Sequence, residues 1–138
     1  MQVKIGTCIR QAAVLSGFSI MFTSVVAQVN AIPSKLSGRW TTPDGAYSQS
    51  ISANIDVATS KGEITVWSNQ SGCSIRDAPI AVTSTGEKLI LKVDSSYSNP
   101  CRSNVSVELT KTAGTEDYEG ELRQDGTNFP VLRVKMTP

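Results

Sequence analysis

The sequence predicts an all-β domain: an eight-stranded antiparallel up-and-down barrel with one disulfide. Three observations predict it. Apolar residues alternate with polar ones through most of the chain after residue 35, short turn-forming clusters interrupt the alternation, and two cysteines fall where a meander would bring them to one end. The same strands could pack as a two-sheet β-sandwich, an alternative that local patterning leaves open.

The first segment reads as a leader rather than as structure. "MQVKIGTCIRQ" carries Lys4 and Arg10 and no acid, and "AAVLSGFSIMFTSVVA" follows as a short apolar run broken by Gly17 and serines. Val25 and Ala27 then place small residues before a cut after Ala27, with Ala31 as a second candidate. This is the order of a secretory signal peptide over residues 1–27, and the run is short of the roughly 20 apolar residues a membrane span needs. About 110 residues remain, enough for one domain with a modest core. Residues 28–35, "QVNAIPSK", form an N-terminal segment and 36–138 the barrel domain. Removing Lys4 and Arg10 leaves eleven basic residues against twelve acidic, interspersed along the chain. That pattern offers no electrostatic footprint for nucleic acid, and no second apolar stretch suggests membrane insertion after cleavage. Export implies a secreted or periplasmic protein.

Strands are expected near 36–42, 48–58, 62–69, 78–84, 88–94, 104–111, 117–124 and 129–137. "SQSISANIDV" places Ile51, Ala53, Ile55 and Val57 on one face; "KLILKVDS" does so for Leu89, Leu91 and Val93, and "NVSVELTK" for Val105, Val107 and Leu109. "VLRVKM" sets Leu132, Val134 and Met136 against Arg133 and Lys135. Between the runs lie "TPDGA", "TSKGE", "NQSGCS", "STGEK", "SYSNPC", "TAGTED" and "QDGTN", whose Gly, Asn, Asp and Ser suit tight turns. Short connections between successive strands favour a meander, and closing it removes the sheet edges.

In a meander, alternate loops emerge at the same end. Cys73 lies in the third-to-fourth strand loop and Cys101 in the fifth-to-sixth, so both come to one end. An even cysteine count in a small exported domain reads as a disulfide, worth about 3.5 kcal/mol in the chain-entropy treatment for a loop of this size.

"LSGRW", Leu36 to Trp40, carries a Gly-x-Trp that resembles the first strand of calycin-type barrels: lipocalins, avidin-like proteins and small periplasmic metalloprotease inhibitors. "YEGELRQDG", followed by a last apolar strand, is similar to their late hairpin. The resemblance implies an up-and-down barrel and two functional models, a carrier of a small apolar molecule and a protease inhibitor. In the inhibitor model the mature N-terminal segment, here Gln28 to Lys35, enters a hydrolase cleft. The inhibitors carry their disulfide near the second strand, unlike this chain, and the later tryptophan-bearing strands of avidin-like proteins have no counterpart.

The chain has no histidine, which excludes Ser-His-Asp and Cys-His catalysis and zinc sites with histidine ligands. No phosphate-binding glycine loop opens a helix. Glu119 and Glu121 share a strand face, an arrangement more common for solvated acids than for a catalytic pair. The expectation is a protein without catalytic residues, cofactor or metal.

The crowding of Ile, Leu and Val on the inward faces suggests a filled barrel rather than an enclosed pocket. The aromatic residues gather elsewhere. Trp40, Tyr47, Trp67, Tyr97 and Phe129 fall at the cysteine-bearing end, with Arg76 and Arg102, while Tyr118 falls at the other. Trp, Tyr and Arg anchor interfaces because they bury large areas and keep a polar handle. Tyr47, Trp67, Arg76, Tyr97, Arg102 and Phe129 are therefore the candidate binding residues, for a protein partner or a surface ligand. A plug closing the barrel end is the competing role, chiefly for Trp40 and Trp67. A structural component of an envelope or matrix is a further reading. Asn69 and Asn104 each head an Asn-x-Ser triplet that a eukaryotic secretory pathway would read as a glycan acceptor.

Overall fold

Eight strands form close to where the alternation places them. The structure, a computed structural model, describes residues 31–125 and 129–138; the leader and the first residues of the N-terminal segment lie outside the described residues. The strands are β1 (Lys35–Thr41), β2 (Ser48–Asp56), β3 (Lys61–Val66), β4 (Ile75–Thr85), β5 (Lys88–Val93), β6 (Val105–Lys111), β7 (Tyr118–Gln124) and β8 (Leu132–Thr137). Each pairs antiparallel with the next, and β8 returns to β1 in a register running from Ser37↔Thr137 to Thr41↔Arg133. The barrel is closed in sequence order, which replaces the sandwich alternative and leaves no strand edge to template aggregation.

Period two explains the interior. In β8, Leu132, Val134 and Met136 are buried and Arg133, Lys135 and Thr137 exposed. All eight strands feed one apolar cluster, in which Leu36, Ile51, Ile64, Leu91, Leu109 and Met136 are fully buried. Burial of each such side chain is worth about 1.5–3 kcal/mol. Two glycines let the strands approach. A Cβ on Gly38 would overlap the carbonyl oxygen of Lys135, and one on Gly120 that of Glu108. The Gly of the Gly-x-Trp sequence is thus required by the β1–β8 closure.

Three expectations need correction. Val57 is 46% exposed, because β2 ends at Asp56, whose carboxylate accepts the Ala58 N–H at 3.1 Å and starts the turn. β3 stops at Val66 and β4 begins at Ile75, so Arg76 and Asp77 lie on a strand rather than in a loop. Ile64 pairs with Ala78 and Val66 with Ile75, leaving one extra residue on β4. This bulge turns Arg76 and Asp77 outward together, and Asp77 has a φ of 46°. The bulge breaks the alternation that sequence reading relies on. β8 begins at Leu132, and the chain from Phe129 to Val131 is exposed. The N-terminal segment is docked from Ile32 onward: Ile32 packs on the core, and the Ser34 carbonyl accepts the Ile55 N–H at 2.7 Å.

Candidate functional site

The loops β1–β2, β3–β4, β5–β6 and β7–β8 leave the same end of the barrel, and the first three are stiffened by hydrogen bonds or by the disulfide. In β1–β2 the Thr42 N–H donates to the Tyr47 carbonyl at 2.9 Å, and the Tyr47 N–H donates to Thr42 Oγ1 at 3.1 Å. Asp44 Oδ1 accepts the Thr42 hydroxyl at 2.6 Å and the Ala46 N–H at 3.0 Å. Those bonds favour the carboxylate and hold Asp44 below its ordinary value of 3.8, with Thr42 the larger cause. The loop thereby presents Tyr47, 58% exposed, at a fixed place on the rim.

"DSSYSNPCRSN" makes the brace. Cys101 is bonded to Cys73 with their Cα atoms 5.1 Å apart, joining β5–β6 to β3–β4. Asn99 seals the joint. Its Oδ1 accepts the N–H groups of Cys101 at 3.0 Å and Arg102 at 2.7 Å, while its Nδ2 donates to the Ser74 carbonyl at 3.2 Å. Asp94 accepts both the N–H and the hydroxyl of Ser96 at 2.8 and 2.7 Å, which keeps its carboxyl below the ordinary 3.8.

Arg102 is held by this brace. It is 8% exposed, and its Nε donates to the Cys73 carbonyl at 2.9 Å. Its guanidinium carbon lies 5.9 Å from the centre of the Trp40 ring, within cation–π range. Trp40, 4% exposed, donates from Nε1 to the Trp67 carbonyl at 2.8 Å. The Trp40 ring is therefore a floor fixed from two loops.

Above this floor is an open cleft of about 350 Å³. Trp40, Tyr47, Phe129, Pro130 and Leu132 supply its apolar and aromatic lining. Thr42, Ser68, Asn69, Gln70, Gln124 and Arg102 supply its polar groups. No carboxylate lines it among the described residues.

Of the six candidate residues, the structure brings Tyr47, Arg102 and Phe129 to the cleft and places the others elsewhere. Trp67 is 42% exposed and stacks under Arg76, whose guanidinium carbon lies 4.9 Å from the ring centre. This pair lines an adjoining polar groove that shares Ser68, Asn69 and Gln70 with the cleft, and the β4 bulge turns Arg76 outward. Tyr97 is a brace rather than a rim residue: it packs on the core, and its hydroxyl accepts the Arg76 N–H at 3.2 Å. Trp40 proves to be both plug and lining. Gln70 was not legible as a lining residue, since nothing distinguishes it from an ordinary turn residue. Leu132 was legible only as core.

Glu119 and Glu121 lie on the outer wall, in ion pairs with Lys135 and Arg123 respectively. Among the described residues no group of three or more acidic, Cys or His side chains is placed to hold a metal.

The chain matches no protein-family model, no curated protein and no solved structure. The functional reading accordingly rests on the site itself. The disulfide suits an oxidising compartment, extracellular or periplasmic.

Proposed function

We propose that this protein is an exported, calycin-like binding domain without catalytic chemistry of its own. It engages a macromolecule or surface ligand through the cleft at its disulfide-braced end. The observation that carries the reading is the exposure of Tyr47 and Phe129, at 58% and 48%, beside a buried Trp40–Arg102 floor. Large exposed aromatic groups are suited to a partner surface, and the hydrogen-bonded loop that presents Tyr47 lowers the entropic cost of binding. The cleft has hydrogen-bonding groups and one cation, and it lacks the paired acid and base that hydrolysis would need.

The packing bears on the alternatives. A lipocalin-like carrier needs an interior pocket, whereas apolar side chains from every strand meet inside this barrel. A hydrolase inhibitor acting through Gln28 to Lys35 needs that segment free, whereas Ile32 and Ser34 are docked.

The test compares capture of secreted partners by the purified protein and by a Tyr47→Ala, Phe129→Ala double variant, using cross-linking from position 69. Both side chains are exposed, so the variant should keep its denaturation midpoint. Retention should fall at least tenfold, the usual result of losing aromatic anchors. Equal retention by both proteins would move the site off the cleft.

A further inference from the structure

Arg102 is a buried cation that no acidic residue of the described chain pairs with. All twelve acidic residues of the sequence lie among the described residues. The ion pairs found there use Glu108, Glu116, Asp117, Glu119 and Glu121, each with a lysine or with Arg123, and none with Arg102. The undescribed residues 126–128 are Gly, Thr and Asn, so they add no counter-charge. Nη1 is buried and has no hydrogen-bond partner among the described residues. Nε is satisfied by the Cys73 carbonyl.

Burial lowers the pKa of the guanidinium from its ordinary value, with no opposing charge to offset it. An arginine nonetheless stays protonated in a protein. A buried, unpaired charge is among the more costly arrangements a small domain can hold. It stands here at the wall of an open cleft lined by Trp40, Tyr47 and Phe129.

We infer that the cleft is a receptor for a carboxylate borne on a flat apolar or aromatic group, with the Arg102 guanidinium at the cleft wall drawing the carboxylate and the Trp40, Tyr47 and Phe129 side chains holding the apolar part. This rests on the reading of the cleft as the binding site and names the chemistry that site takes. The carboxylate supplies the missing counter-charge, and a charge-assisted bond to a guanidinium is about twice as strong as a neutral one. The aromatic lining explains why a bare anion would not suffice. Two sources carry this chemistry, a free arylalkanoic acid and the C-terminus of a chain ending in an aromatic residue.

The experiment titrates the purified protein with 3-phenylpropionate, with its amide, and with a peptide ending in Phe as the free acid or as the C-terminal amide. The Trp40 indole N–H resonance is the reporter. At least one acid should move that resonance saturably, and its amide should bind at least tenfold more weakly. Binding of the acid should weaken further with salt. An Arg102→Gln variant should erase the preference for acid over amide. Should that variant lose its fold along with the Cys73 contact, the acid-to-amide ratio in the unaltered protein still decides. Binding by the peptide acid alone supports a chain-end ligand, and binding by 3-phenylpropionate as well supports a small acid.

Equal binding of acid and amide would overturn the inference and leave Arg102 as a structural pin. So would a Trp40 resonance that no probe moves. In either case partner capture by the Tyr47→Ala, Phe129→Ala variant still judges the cleft independently.

Discussion

The two ends of the barrel are built on the same kind of hairpin and finished in opposite ways. At the disulfide end, Thr42 N–H bonds the Tyr47 carbonyl at 2.9 Å; at the far end, Thr112 N–H bonds the Asp117 carbonyl at 2.8 Å. The backbone rings match, but the side chains delivered do not. The first loop ends on an exposed Tyr47, whereas the second ends on Asp117 and hands over to Tyr118, which is 6% exposed. Around Tyr118 the far end is packed with Ile32 and Leu89; an open groove over the β6–β7 loop is lined mostly by polar and charged residues, without an aromatic, and Lys111 pairs with Glu116 and Lys135 with Asp117. The disulfide end keeps an open cleft and an unpaired buried cation. The lesson is that loop geometry alone does not make a site. What separates the ends is that one covers its aromatic residue internally, while the other leaves Tyr47 and Phe129 exposed beside a buried cation that has no counter-charge.

Replacing the two buried aromatics should sharpen that contrast most. Trp40→Ala and Tyr118→Ala should each lower unfolding free energy, by about 3–5 kcal/mol for the tryptophan on the usual cost of emptying a large core site. Only Trp40→Ala should also abolish ligand capture, because only its ring floors the cleft. Chemical denaturation gives the first quantity and partner retention the second. Comparable loss of binding from Tyr118→Ala would mean that the two ends are coupled and the comparison fails.

Removing the bridge, as Cys73→Ser with Cys101→Ser, should cost about 3.5 kcal/mol. Hydrogen exchange should speed up in residues 67–74 and 94–104 and leave 112–117 nearly unchanged. Uniform acceleration would show that the brace stabilises the whole barrel rather than one end.

The smallest effect is electrostatic. The folded Asp44 carboxyl titrates below its ordinary 3.8, so its contribution to loop order is fully present above that value and is lost as pH falls through the lowered pKa. Amide resonances of Ala46 and Tyr47 should therefore shift together in that acid window, and Asp44→Asn should remove the transition. Movement of Tyr47 without Asp44 titration would detach the rim from this carboxylate.

Much of the fold was legible because strand burial is a period-two property of local sequence. Leu132, Val134 and Met136 announce their face without help from the rest of the chain. Loop parity likewise brought Cys73 and Cys101 together before any geometry was known. The bulge at Arg76 and Asp77 was not legible, since an inserted residue puts two neighbours on one face and looks like a loop. Nor was the division of the candidate residues. Tyr97 and Tyr47 are the same residue type on comparable turns, yet one packs on the core and the other stands on the rim.

The sequence by itself determined the all-β class, the eight strands, the end at which the bridge forms and the gathering of aromatics there. Each follows from local alternation, turn chemistry and counting. Only the tertiary structure decided that Arg102 is buried, that it sits over Trp40 with one N–H unused, and that no acid reaches it. The physical reason is that burial and charge pairing depend on which groups closure brings within a few ångströms. In this barrel those groups come from loops far apart in the chain.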